Sequence, residues 1–301
     1  MAHDSQSKTI LITGGSGFVG QNLARFFVPR YSVVVADRNN SLTDDLRFST
    51  KFVDLDISDA DAVLSTFDTI LPEVVIHAAG NKNVRYCEEH PEEAYQVNAL
   101  GTNYVADACR RIGARMIYLS TDLVFGGDRG NYQESDLPVP SLVYGKTKLQ
   151  GEQYALRELS DVIICRSGGI YGKASPLLRW LSTELEAGHR VDCFTDVINT
   201  PTYMENLAEM MEDILQKGLH GIFHTVGRDS ASRFQFFQTY AKTFGLNHDL
   251  LQPIEASADR AKMLLLPNSS LSIDQTRTKL EVPFNSASEG FARLQSQGGV
   301  K

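Results

Sequence analysis

The sequence predicts an α/β chain: a doubly wound parallel sheet with a smaller C-terminal α+β portion. Three observations predict it. Short apolar runs alternate with helical patterns over the first two-thirds of the chain, which calls for parallel strands joined by helical crossovers. A glycine-rich turn joins the first run to the first helix, and an acidic residue closes the second run.

Taken in order, residues 8–13 are a short apolar run bounded by glycines, as a strand buried on both faces would be. A helix follows with Phe18, Val19, Leu23, Phe26 and Phe27 on one side, and Pro29 ends it. Strands are expected at 32–36, 51–54, 73–77, 115–120 and 161–165. Long helices are expected at 91–112, closed by Gly113, and at 142–159. Past Arg166 the pattern loosens. Ser175-Pro176 opens a helix that stops at Gly188, 203–216 forms another before Gly218, and Ser232 starts a third. In that third helix Phe236, Phe237, Tyr240 and Phe244 recur at helical spacing, the signature of a core-facing stripe. Short strands are expected at 191–194 and 221–226. The implied division is a dinucleotide-binding domain over 1–166, with a return segment near 191–226, and a smaller portion over 167–190 and 227–301.

Composition narrows the function. The 301 residues are 42% hydrophobic and 22% charged, which excludes a disordered or collagen-like chain. A net charge of −8 without like-charge runs argues against a nucleic-acid or anionic-membrane partner. No stretch approaches the roughly 18 apolar residues of a membrane span. Residues 1–7 are polar and lack a signal peptide's apolar run. Cys87, Cys109, Cys165 and Cys193 are scattered, so buried thiols in a reducing compartment are expected, with the cytoplasm as location. No metal is predicted.

Thr13-Gly-Gly-Ser-Gly-Phe-Val-Gly20 follows the first strand and leads into a helix. Phosphate binding needs close backbone approach and unpaired N–H groups, and this turn supplies both. Gly14 serves the tight turn, Gly17 clears space for a pyrophosphate, and Gly20 lets helix and strand pack closely. Asp37, at the end of the second strand, stands where a Rossmann dinucleotide site grips the adenosine ribose. Its charge repels a 2′-phosphate and favours NAD; Arg38 beside it suits NADP instead, and the balance tips to NAD. Asp56 and Ile57 suit the adenine edge, or simply a helix N-cap region.

Reducing a ketone by hydride requires a proton donor at the carbonyl oxygen, and a tyrosine serves if its pKa is lowered by a nearby cation. Tyr144 and Lys148 are four residues apart at the start of the helix after the fifth strand, hence on one face. That strand ends in Ser120-Thr121-Asp122, whose threonine can orient a carbonyl and whose aspartate can bond a sugar hydroxyl.

Together the glycine loop, His77-Ala-Ala-Gly80, Asn98, Ser120-Thr-Asp122 and Tyr144-Gly-Lys-Thr-Lys148 resemble the extended short-chain dehydrogenase/reductases. Ser120-Thr-Asp-Leu-Val-Phe-Gly-Gly127, Tyr144-Gly-Lys-Thr-Lys-Leu-Gln-Gly-Glu152 and Thr200-Pro-Thr202 are similar to the dTDP-4-dehydrorhamnose reductase branch. The resemblance implies that Tyr144 donates the proton, Lys148 holds the nicotinamide ribose and lowers the tyrosine pKa, and Thr121 bonds the ketone. It extends the cofactor contacts to Ser16, Phe18, Val19, Ala78, Ala79, Gly80 and Asn98. The substrate contacts it implies are Asp122, Arg85, Gly169 and Tyr171. It also implies a homodimer through the two long helices. The branch carries a tryptophan over the sugar where this chain reads Arg166-Ser-Gly-Gly-Ile-Tyr-Gly172, so the sugar stays open.

The expected activity is therefore NAD(P)H-dependent reduction of a keto group on a nucleotide-activated sugar. An epimerase on the same scaffold is an alternative; a dehydratase is disfavoured by Leu123, where an acid would drive elimination. The regulatory subunit of methionine adenosyltransferase also resembles this branch, so a non-catalytic dinucleotide-binding subunit is a further alternative. Lys82, Arg85, Arg166, Arg228 and Arg233 are candidates for the substrate's diphosphate, each with a solvated surface charge as its ordinary explanation.

Overall fold

The computed structural model describes residues 8–256 and 260–299. Residues 1–7, where the sequence lacks a signal-peptide pattern, lie outside the described residues.

The predicted strands form as β1 (Thr9–Thr13), β2 (Ser32–Asp37), β3 (Lys51–Asp54), β4 (Val74–His77), β5 (Arg115–Thr121), β6 (Ile163–Ser167) and β7 (Gly221–His224). They build one seven-stranded sheet in the order β7-β6-β5-β4-β1-β2-β3. Pairing is parallel from β3 through β2, β1 and β4 to β5, with Ile12 opposite both Val35 and Ile76. The order reverses beside β1, and in such sheets ligands bind at the carboxyl ends of the strands next to the reversal.

The helices are α1 (Phe18–Phe27), α2 (Asp44–Ser49), α3 (Ala60–Ile70), α4 (Val84–Glu89), α5 (Pro91–Tyr95), α6 (Gly101–Ile112), α7 (Val143–Glu158), α8 (Pro176–Glu186), α9 (Met204–Gln216), α10 (Arg233–Phe244), α11 (Arg260–Met263) and α12 (Ala287–Ser296). Among the described residues none is long and apolar enough to cross a membrane. The single helix expected over 91–112 is a correction: a π turn at Gln96–Leu100 separates α5 from α6.

Contacts divide the chain into two units. The first comprises residues 8–120, 147–164 and 219–221. Its core is β-branched and apolar: Ile10, Leu11, Ile12, Val35, Val75, Ile76 and Ile117 are all fully buried, as strands covered on both faces require. Leu23, Ala24 and Phe27 of α1 and Val63 and Phe67 of α3 supply the helical side.

The second unit comprises 121–146, 165–218 and 222–299. Here Val191–Phe194 pairs in parallel with Leu251–Ile254. The aromatic stripe of α10 is core: Phe236, Phe237 and Tyr240 pack with Leu178, Leu181, Tyr203, Phe291 and Leu294. Ser232 caps α10 through a reciprocal box with Gln235, and Gly245 ends it in the left-handed conformation at φ 68°. All four cysteines are buried free thiols.

Candidate functional site

In the first unit, β1 runs directly into the glycine loop. Gly14 has φ 68°, and a Cβ there would fall 2.6 Å from Ala79 Cα, so the loop lies against the chain leaving β4. A Cβ on Gly20 would fall 2.3 Å from Gly14 O, whereas on Gly17 its nearest neighbour is 3.3 Å away. The loop is thus closed around Gly14 and Gly20 and open at Gly17, which caps α1 with no side-chain bond to the helix. The first N–H groups of α1 and its dipole point to that opening. The Ser16 hydroxyl is buried and has no hydrogen-bond partner among the described residues. A donor left over beside open helix N–H groups suits an anion, so the residues present fit a dinucleotide pyrophosphate.

Asp37 lies at the end of β2, and its carboxylate accepts the Ser16 N–H at 3.0 Å and the Arg38 N–H at 2.8 Å. The exposed Arg38 guanidinium is 3.9 Å from Asp56. Burial works to raise Asp56, but the Ser58 hydroxyl and N–H, with Arg38, overcome it and hold the carboxyl below its ordinary range. Asp59, not Asp56, caps α3, by accepting the Ala62 N–H.

His77, at the end of β4, is wholly buried. Its Nδ1 lies 2.6 Å from the Thr13 hydroxyl and its Nε2 3.1 Å from that of Thr102. Thr102 donates to Asn98 O, so it accepts from Nε2–H, and Thr13 donates to Nδ1. Burial, and then the Lys148 cation, lower the imidazole to about 3, so it is neutral.

Asn98 sits in the π turn, fully buried rather than on a helix surface. Its Oδ1 accepts the Asn81 N–H at 2.7 Å, and its amide donates to Asn81 O at 3.0 Å and to the Thr147 hydroxyl at 3.2 Å. The side chain is fully occupied inside the fold, where it ties the chain after Gly80 to α7.

Lys148 is buried on α7. Its ammonium donates to Leu119 O at 2.7 Å and lies 4.0 Å from the centre of the Tyr118 ring. Desolvation lowers it to about 7, although the carboxylate of Glu152 works the other way. Glu152, one turn further along and also buried, accepts the Ser120 hydroxyl. Sequence reasoning does not single out Glu152; its i+4 spacing from Lys148 is the signal for it.

In the second unit, Thr121 opens a tight turn, Asp122–Val124. Its hydroxyl accepts the Leu123 N–H at 3.2 Å and donates to Asp122 at 3.1 Å. The other Asp122 oxygen accepts the Ser269 hydroxyl at 2.6 Å, a partner 147 residues away with no local sequence signal. Gly145 lets the first turn of α7 press on this turn, since a Cβ there would fall 2.0 Å from Leu123 O. Tyr144, half-buried, is thereby carried beside the Thr121 turn.

Two expected substrate contacts lie inside the protein. Tyr171 is 1% exposed, its ring lies 4.7 Å from Phe291 and 5.1 Å from Phe236, and its hydroxyl donates to Ala287 O; it is a core residue. Asp122 is also buried and bonded within the protein. Gly169 is a turn residue at φ 50°, with its missing Cβ 2.8 Å from Asn199 Nδ2. Arg85 is exposed on α4.

The doubly wound sheet, the glycine loop and the α7 tyrosine and lysine define a chain of the short-chain dehydrogenase/reductase type. The family model described as "RmlD substrate binding domain" matches residues 8–297, and the chain belongs to that family. It is 32% identical to a dTDP-4-dehydrorhamnose reductase of Aggregatibacter actinomycetemcomitans, over 75% of this chain and 76% of the relative. It is 28% identical to methionine adenosyltransferase 2 subunit beta of Bos taurus, over 83% of this chain and 76% of the relative. Among solved structures, the dTDP-4-dehydrorhamnose reductase of Bacillus anthracis in complex with NADP is similar with a TM-score of 0.86 at 26% identity, covering 97% of this chain and 99% of that one.

Proposed function

We propose that this protein is an NAD(P)H-dependent reductase of a keto group on a nucleotide-activated sugar, of the dTDP-4-dehydrorhamnose reductase kind. The observation that carries this reading is α7, where Lys148 is buried, lowered by desolvation to about 7 and so partly protonated at neutral pH, and fixed on Leu119 O one turn from Tyr144. A nicotinamide dinucleotide, when bound, supplies the hydride. Gly14, Ser16, Gly17, Phe18, Val19 and Gly20 would hold its pyrophosphate, Asp37 and Arg38 its adenosine ribose, Asp56 and Ile57 its adenine edge, and Ala78, Ala79 and Gly80 would wall its far side. Asn98 acts indirectly, by fixing Asn81 and Thr147.

The chain's own residues handle the proton. Tyr144 presents its phenol to the ketone oxygen, and Lys148 stabilises the phenolate left behind. Thr121, its oxygen held by the Leu123 N–H, would steady the carbonyl by turning its hydroxyl proton from Asp122 to the ketone oxygen. NAD is the favoured cofactor, because the Asp37 carboxylate is anchored to the loop and a 2′-phosphate would meet its charge. The regulatory-subunit alternative is weaker, since Thr121, Tyr144 and Lys148 are all retained.

Oxidation of NADH or NADPH by a panel of 4-keto nucleotide sugars tests the activity. Turnover is expected with at least one sugar, and Tyr144→Phe is expected to lower it by about 10²-fold or more with cofactor affinity nearly unchanged. Redox-neutral conversion in place of cofactor oxidation would replace the reductase by an epimerase. We also place the protein in the cytoplasm, with its thiols reduced, and as a homodimer through α5, α6 and α7. On these helices Tyr95 and Leu156 are 39% and 43% exposed, and the Tyr95 and Tyr154 hydroxyls bond at 2.7 Å. Light scattering should return twice the monomer mass, and Leu156→Glu should shift it to monomer; a monomeric wild type removes this interface.

A further inference from the structure

The surroundings of the five candidate diphosphate cations separate them. Arg228 lies 3.3 Å from Glu289, and Arg166 is buried with its guanidinium 5.1 Å from the Phe125 ring. Lys82 and Arg85 are exposed, the ordinary state of a surface charge. Arg233, the first residue of α10, is half-buried against Phe237, with its guanidinium 5.5 Å from the ring centre. Among the described residues no carboxylate pairs with it and no acceptor takes a hydrogen bond from its side chain. Burial holds it below the ordinary arginine range. The group that acts on it electrostatically is the Cys193 thiol, which burial pushes up to about 11 and so keeps neutral.

A guanidinium removed from water without a counter-ion is unfavourable, and the ring beneath it compensates only in part. Its planar fork matches the paired oxygens of a phosphate. Beyond Phe237 stands Trp180, the chain's one tryptophan, 6.4 Å away by ring centres and 46% exposed, with Leu177 one turn before it also partly exposed. An unpaired cation on one side chain and partly exposed aromatic surface on another, both lying against Phe237, are chemistry suited to an organic anion.

We infer that Arg233 grips the diphosphate of a nucleoside-diphosphate ligand, beside the Phe237 and Trp180 rings. This rests on the proposal of a nucleotide-activated substrate and names the residue that would select for it. The full chain is titrated with dTDP, UDP and inorganic pyrophosphate, followed by Trp180 fluorescence and by calorimetry. Saturable binding of dTDP or UDP is expected for the wild type. Arg233→Leu, which keeps an apolar stem on Phe237, should weaken it about tenfold or more. Arg233→Lys, which keeps the charge without the fork, should fall between, and guards against a leucine variant that does not fold. NADPH affinity should be the same in all three. For the nucleotide sugar, KM should rise with kcat little changed. Equal dTDP and UDP affinities in a folded Arg233→Leu overturn the assignment, as does a wild type that binds none of the three probes. Sugar turnover with an unchanged KM in Arg233→Leu removes Arg233 alone. Arg233-dependent dTDP binding without turnover of any keto sugar removes the reductase and leaves the grip supported.

Discussion

The carboxyl of Asp122 accepts hydroxyls from Ser269 and Thr121, yet burial still pushes it up to about 6. The folded chain therefore holds this proton more tightly than the unfolded chain, whose carboxyl titrates near 3.8. The linkage is such that stability is highest below the unfolded pKa and falls as pH rises from there through about 6. At neutral pH the ionised group costs the fold up to about 3 kcal/mol, less whatever relaxation recovers. Asp122→Asn keeps the shape and removes the charge. It should raise stability by about 1 kcal/mol at pH 7.5, with the gain gone near pH 4. Thermal melts at the two pH values check this, and a variant destabilised equally at both would show that the bonds outweigh the charge. Lys148 shows the same tension with opposite sign, a buried cation lowered to about 7 and kept where the proposed chemistry uses it. Tyr171 shows where reading by position fails: its segment follows β6 as a substrate segment would, but Phe236 and Phe291, which bury it, are 65 and 120 residues further on.

At the scale of elements, the six strands and the glycine turn were legible because period, length and punctuation agreed. Lys8 to Asp37 carries an apolar run, a glycine turn, an amphipathic helix and a second run in order, and each forms. The π turn was not legible. It adds a residue to one helical turn while leaving the apolar period of 91–112 nearly intact, so the sequence reads as one helix. The turn turns Asn98 inward, and the long-range bonds to Asn81 and Thr147 that hold it have no local signature. Helix α12 was hidden differently, its Ser286 and Glu289 capping box being the main signal over a stretch with few apolar residues. Asn98→Ala would leave the Asn81 N–H and C=O without these partners. It should cost about 2–3 kcal/mol, read as a lower urea midpoint with an unchanged m-value. A loss below about 0.5 kcal/mol would mean that water or a neighbour replaces the amide.

For the molecule as a whole, binding is coupled to folding. The loop, Asp37, Asp56 and Lys148 all belong to the first contact unit, so a ligand held there stabilises that unit's folded state by mass action. At a hundredfold excess over Kd the gain is about 2.7 kcal/mol. For a chain of 301 residues that is a rise of several degrees in Tm. The same measurement ranks the two cofactors. Asp37 is fixed by the Ser16 N–H and cannot swing away from a 2′-phosphate without giving up that bond, whereas Arg38 is exposed but lies 3.9 Å from Asp56 and would have to leave that carboxylate to meet one. NADH should therefore give the larger shift at equal concentration, and Asp37→Ala should invert the order by removing the repulsion while leaving Arg38 in place. Gly20→Ala should abolish both shifts, because its Cβ would meet the Gly14 carbonyl and the loop must open to admit it. If neither cofactor moves the wild-type Tm, the loop is a tight turn and nothing more; if both move it and Asp37→Ala keeps the order, the discrimination lies with another residue.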